Sequence, residues 1–170
     1  LEEMLKDIKS VKIQGAKEIA IESLKFLKDY AKIYGFGKKF KIACKKLENA
    51  RPTAVVLHNC LEILLKEKSE KTIERLINEL NQATKKLSEI GSGIIKNNST
   101  ILTHCHSGEA LSVIKRAWRD GKKIRVFATI TEPLLQGVKT AKELARERIP
   151  VTLIADSAVG FFMKDIDMVI

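Results

Sequence analysis

Apolar residues recur at helical spacing through the first part of the chain. Leu1, Met4, Leu5 and Ile8 form one stripe, and Ile19, Ala20, Leu24 and Leu27 form a second. A longer stripe runs through Ile73, Leu76, Ile77, Leu80, Ala83, Leu87, Ile90 and Ile94. Pro52 suits the first turn of a further helix carrying Val55, Val56, Leu57, Leu61 and Leu64, because a missing N–H is harmless there. Breaks fall at Gln14-Gly15, at Tyr34-Gly35-Phe36-Gly37 and at Arg51-Pro52. Residues 1–97 therefore read as an N-terminal helical bundle.

Asn97-Asn98-Ser99 is a turn signal, and the period changes after it. Short apolar runs at 100–103, 124–129, 151–155 and 168–170 alternate with helical segments at 109–120, 137–147 and 158–165. This alternation predicts a parallel sheet with right-handed crossovers, so the fold class is α/β. The second domain is expected over 98–170. The chain opens inside a helical pattern and stops inside a strand, and a sheet cut there leaves an unpaired edge. The expectation is a fragment of a longer polypeptide, truncated within the sheet domain.

Composition narrows the classes. Aromatic residues make up 5% of the chain, which leaves few platforms for stacking bases. A net charge of +10 fits solvated lysine-rich helix faces, an attraction for phosphates, or one for nucleic acid, and charge alone does not separate these. No apolar run approaches the length of a membrane span and no signal-peptide pattern opens the chain, so a cytoplasmic location is expected. Cys44, Cys60 and Cys105 are odd in number and widely spaced, which predicts reduced thiols and no zinc site. No GxGxxG sequence is present, and a standard dinucleotide site is not expected.

The richest stretch for chemistry is Thr103-His104-Cys105-His106-Ser107-Gly108, between a strand and a helix. A cysteine at a helix start sits by the positive end of the dipole, which favours the reactive thiolate. It should then alkylate faster than Cys44 and Cys60, which read as packing residues. The other reading is an inert strand-end cysteine between two ordinary histidines. Gly15-Ala16 and Ser107-Gly108, each at a helix start, can offer N–H groups to an anion. Arg51 is the candidate charged clamp, or else a surface arginine that caps the preceding helix. Asp156, at a strand–helix junction, reads as an N-cap.

Four segments together resemble one family. Ile13-Gln14-Gly15-Ala16 is similar to its Arg-Gly-Ala loop, and Arg51-Pro52-Thr53-Ala54-Val55 to its Arg-Pro-Thr-Ala-Val motif. Ile101–Ser107 is similar to its strand–Cys–Ser segment. Gln136-Gly137, Ile149-Pro150-Val151 and Asp156–Met163 are similar to its later half. This is the superfamily of ribose-1,5-bisphosphate isomerase, methylthioribose-1-phosphate isomerase and the α, β and δ regulatory subunits of eukaryotic translation initiation factor two-B. The resemblance implies an N-terminal helical domain followed by a Rossmann-like domain. It also implies a homo-oligomer, a dimer or a hexamer of dimers, and a phosphorylated sugar or nucleotide as ligand. Neither cofactor nor metal is implied, and Cys105 takes the catalytic role with an aspartate partner beyond Ile170. Gly15, Ala16, Arg51, Ser107 and Gly108 become the phosphate contacts. Gln14 and Glu132 stand where the isomerases carry arginine. That departure leaves a non-catalytic regulatory subunit as the alternative.

Overall fold

Helix α1 (Glu2–Lys9) starts with Glu2 and Glu3 and ends with Lys6 and Lys9 in its last turn, so its charges oppose the helix dipole at both ends. The structure, a computed structural model, describes residues 1–170. It divides into two compact units, Leu1–Gln82 and Ala83–Ile170. The first holds α1, α2 (Ala16–Tyr34), α3 (Lys38–Ala50), α4 (Val55–Glu67) and the first half of α5 (Glu70–Ile94). Ile8, Leu24, Leu27, Phe40, Leu47, Leu57, Leu64 and Ile73 are fully buried at its centre. Burying a side chain of this kind is worth about 1.5–3 kcal/mol, and this shared core holds the short helices in place.

One expectation about the helices needs correction, and one apolar stripe is only partly covered. Pro52 does not open a helix. The N–H of Ala54 bonds back to the Arg51 carbonyl at 2.9 Å, and α4 begins only at Val55. The ring's fixed φ suits the second position of that turn as well as it suits a helix start. The long stripe on α5 is not core throughout, since Leu87, Ile90 and Ile94 are exposed. They line an apolar groove of about 640 Å³ with Val113, Met168 and Ile170.

The second unit carries β1 (Thr100–Thr103), α6 (Gly108–Arg119), β2 (Arg125–Thr129), α7 (Gln136–Arg146), β3 (Val151–Ile154) and β4 (Met168–Val169). All pairings are parallel and the strand order is β3-β2-β1-β4. Ile101, Val126, Val151 and Met168 are in register. They face a core shared with Leu111, Ile114 and Ala117 of α6 and Leu144 of α7. Leu102, Phe127 and Val169 turn to the other side, where Phe127 packs on Phe162 with ring centroids 5.0 Å apart. The helix expected at 158–165 is one α-turn (α8, Val159–Phe162) between 3₁₀ turns at Asp156–Ala158 and Met163–Asp165. Gly160 weakens the helix there, and the Phe127 contact draws Phe162 onto the sheet.

From β1 the chain winds outward through β2 to β3, then returns to place β4 on the opposite side of β1. The strand order thus reverses at β1. In open parallel sheets the crevice outside the carboxyl end at such a reversal is where ligands bind. The stretch 104–108 follows β1 at that point.

Candidate active site

Cys105 sits between β1 and α6 in a left-handed backbone conformation, φ 67°. Its N–H donates to Thr131 Oγ1 at 2.9 Å, and its carbonyl accepts from Thr140 Oγ1 at 2.7 Å. His104 Nδ1 lies 2.6 Å from Thr129 Oγ1, and His106 Nδ1 lies 2.9 Å from Thr140 Oγ1. The two histidines therefore turn to different partners around the cysteine. Thr129, Thr131 and Thr140 are all buried, and each satisfies its hydroxyl within this network.

Thr131 is left-handed as well, with φ 64°. Such a φ is an outlier for a β-branched residue and costs of order 1–3 kcal/mol, so the surroundings must over-determine it. Asp156 supplies part of that constraint. Its Oδ1 and Oδ2 accept the N–H groups of Thr131 and Glu132, each at 2.8 Å. This corrects the sequence reading, because Asp156 caps no helix end and instead braces the turn after β2. These two bonds, the one from Glu132 first, hold its carboxyl below the usual range. The brace thus contributes stability above the ordinary value of 3.8, and that contribution is lost as pH falls through the lowered folded value. An NMR titration of the Asp156 carboxyl is expected to show a midpoint below 3.8, and a midpoint at or above it would contradict the brace.

The helix starts differ in what they offer. Ser107 is the N-cap of α6, and its Oγ accepts the Ala110 N–H at 3.2 Å. Gly108 is the first helical residue. The N–H groups of Gly108 and Glu109 lack intrahelical partners, as at any helix start. Gly15 precedes α2 with φ 91°, a conformation that suits glycine. The Glu18 carboxylate lies against it, so an anion approaching Gly15-Ala16 meets that charge first. Arg51 ends α3 and is half-buried. Gly15, Ala16 and Arg51 belong to the first unit, and Cys105, Ser107 and Gly108 to the second.

Cys44 and Cys60 are packing residues, as expected. Burial pushes the Cys44 thiol up to about 12 and raises that of Cys60, which leaves half-exposed Cys105 as the accessible sulfur. Beyond His106, an ion-pair ladder joins α6 to α7. His106 Nε2 is 3.5 Å from Glu143, Lys115 bonds Glu143 at 2.7 Å and Glu147 at 2.9 Å, and Arg119 bonds Glu147 at 2.9 Å. Burial works to lower the Lys115 ammonium, but its two carboxylate partners outweigh it and hold the group above its ordinary value. The threonines, Asp156 and this ladder carry no sequence signature. Threonine at a strand end and charges on a helix face are too common to stand out.

Comparison with known proteins agrees with this layout. The initiation factor 2 subunit family matches residues 12–170. The ribose 1,5-bisphosphate isomerase of Methanocaldococcus jannaschii is 43% identical over 100% of this chain and 60% of its own length. The ribose 1,5-bisphosphate isomerase of Archaeoglobus fulgidus is 38% identical over 99% of this chain and 58% of its own. The chain thus spans about three fifths of the length of these relatives. Among solved structures, the translation initiation factor eIF-2B of Pyrococcus horikoshii OT3 superposes with a TM-score of 0.87 at 21% identity. That match covers 98% of this chain and 63% of the other.

Proposed function

The chain belongs to the initiation factor 2 subunit family, and from that premise we propose that it acts as a sugar-phosphate isomerase, converting ribose 1,5-bisphosphate to ribulose 1,5-bisphosphate. The observation that carries this reading is Cys105, half-exposed at the carboxyl end of β1 where the strand order reverses. The names of relatives matched along the whole chain support it.

A ribose phosphorylated on its anomeric oxygen cannot open as a free aldose does. In the conversion the bond from C1 to the ring oxygen breaks and the ring oxygen takes up a proton. One hydrogen passes from C2 to C1 as C2 becomes a carbonyl, and the C2 hydroxyl releases a proton that balances the one taken up by the ring oxygen, so no outside oxidant or reductant is consumed. Cys105 takes one of these two roles, moving the hydrogen or serving the ring oxygen, and an aspartate directly after the strand that corresponds to Met168–Ile170 in the isomerases takes the other. Gly15, Ala16, Arg51, Ser107 and Gly108 are the assigned phosphate contacts. The same proposal takes residues 1–97 as the helical domain and 98–170 as the start of a Rossmann-like domain. It extends to an oligomer of at least two chains and a cytoplasmic location. No helix is long and apolar enough to cross a membrane.

A second reading has one specific observation behind it. Exposed Glu132 stands where the isomerases carry arginine, which replaces a bidentate anion donor by a negative charge. A regulatory subunit that binds a sugar phosphate or nucleotide without catalysis fits that change. Residues 1–170 alone, without that aspartate, are expected to show no turnover, so the deciding experiment incubates the full chain, with the segment that carries the aspartate, with ribose 1,5-bisphosphate and follows the new ketone carbon by ¹³C NMR. Conversion is expected. A sugar bisphosphate that raises the melting temperature yet is never converted would favour the regulatory reading.

A further inference from the structure

Cys105 is held by its backbone from two sides. The Thr131 hydroxyl, just past β2, takes its N–H, and the Thr140 hydroxyl, from α7, gives its proton to the carbonyl. Each threonine is secured in turn. Having given its one proton to Cys105, Thr140 Oγ1 must accept from His106 Nδ1, 2.9 Å away. Thr131 Oγ1 lies 3.2 Å from both the carbonyl and the hydroxyl of Thr129, and the Thr131 N–H is bound by Asp156. The sulfur takes no part. The hydroxyls act on the peptide groups that set φ and ψ at a residue whose left-handed conformation is unfavourable for any side chain.

We propose that Thr131 and Thr140 are positioning residues, a pair of hydroxyls that keeps Cys105 left-handed and so aims its sulfur into the crevice beyond β1. The helix dipole cannot do this, because it favours negative charge but does not select one backbone conformation. Two buried hydroxyls from separate elements do select one, since any other leaves a buried donor or acceptor unpaired. The consequence for turnover rests on the isomerase reading, whereas the consequence for conformation does not.

The test therefore reads both in the full chain. Thr140→Val removes the hydroxyl at nearly constant shape, Thr140→Ser retains it, and Thr131→Ala and Thr131→Ser repeat the comparison at the other hydroxyl. Cysteine-selective ¹³C labelling gives Cα and Cβ shifts that report φ and ψ at Cys105, and labelled methyls of Val126 and Leu144, buried in the same unit, serve as references for an intact fold. Thr140→Val is expected to move the Cys105 shifts away from their left-handed values. It should also lower kcat by about ten- to a hundredfold, as a misplaced reacting group does, at an unchanged KM. Thr140→Ser should restore both. If Thr140→Val disturbs the reference methyls as well, the Thr131 pair decides. Unmoved Cys105 shifts, a serine variant as impaired as valine, or moved shifts with unchanged kcat would overturn the proposal. Moved shifts in a protein whose wild type never converts the sugar would uphold the pair as conformational and reject the isomerase reading.

Discussion

Cys105→Ser in the full chain is expected to lower formation of ribulose 1,5-bisphosphate by about 10²–10⁴-fold, the range that a positioned proton-transfer group supplies. Sugar-phosphate binding should remain nearly intact. Under the proposed reading the phosphates are held by Gly15, Arg51 and Ser107 and not by the sulfur. Serine keeps the size of the side chain and leaves the bonds of the 105 peptide groups to Thr131 and Thr140 in place. The variant should therefore fold as the wild type does, and calorimetry should give an affinity close to its own. A serine variant that still converts the sugar at the parent rate would remove Cys105 from the chemistry.

Gly137→Ala is expected to be among the most damaging single changes in the sheet unit. Gly137 is buried in the first turn of α7, and its N–H bonds the Ile130 carbonyl at 3.1 Å. A methyl group there would overlap the Thr129 carbonyl oxygen and come within 2.7 Å of the carbonyl carbon. Those are backbone atoms of β2 and cannot swing aside as a side chain would. Overpacking usually costs about 1–3 kcal/mol, and a backbone collision belongs at or above the top of that range. At about 2–4 °C per kcal/mol for a chain of this size, Tm should fall by roughly 10 °C. The matched control is Gly93→Ala, with no atom within 4 Å of the added methyl, which should be neutral or stabilising in a helix. Equal melting of the Gly137 variant and the wild type would refute the close approach of α7 to β2. Thr140 lies one turn further along α7, so a shift of this helix also draws its hydroxyl away from Cys105.

Much of the architecture was legible in the chain. Each of the four strands lies within an apolar run, and α6 and α7 match their patterns to within a residue or two. Those segments satisfy periodicity and turn chemistry together. Helix α3 drew no stripe of its own, although Phe40, Ala43, Cys44 and Leu47 are buried along it, because lysines crowd between them. The α5 stripe was plain, but periodicity says which face is apolar and not how far along the helix a partner extends. For the site, the order of motifs singled out Cys105 and Ser107. The assigned role of Asp156 was wrong, since its partners Thr131 and Glu132 lie some 25 residues away in sequence and are adjacent only once β2 and β3 pair. The three threonines were invisible for the same reason. Each meets its partner across elements, and no local spacing encodes that.

The ion-pair ladder between α6 and α7 bears on how the protein behaves when heated. Isolated surface pairs add little at room temperature, but the hydration that opposes ion pairing weakens as temperature rises, so a linked set gains relative to a core whose contribution levels off. Lys115 and Arg119 of α6 stand on one side of this ladder, and Glu143 and Glu147, on or at the end of the helix that carries Thr140, on the other. The links that strengthen with heat thus join the two segments that meet at Cys105. Local loosening at high temperature is therefore expected to reach the cysteine late.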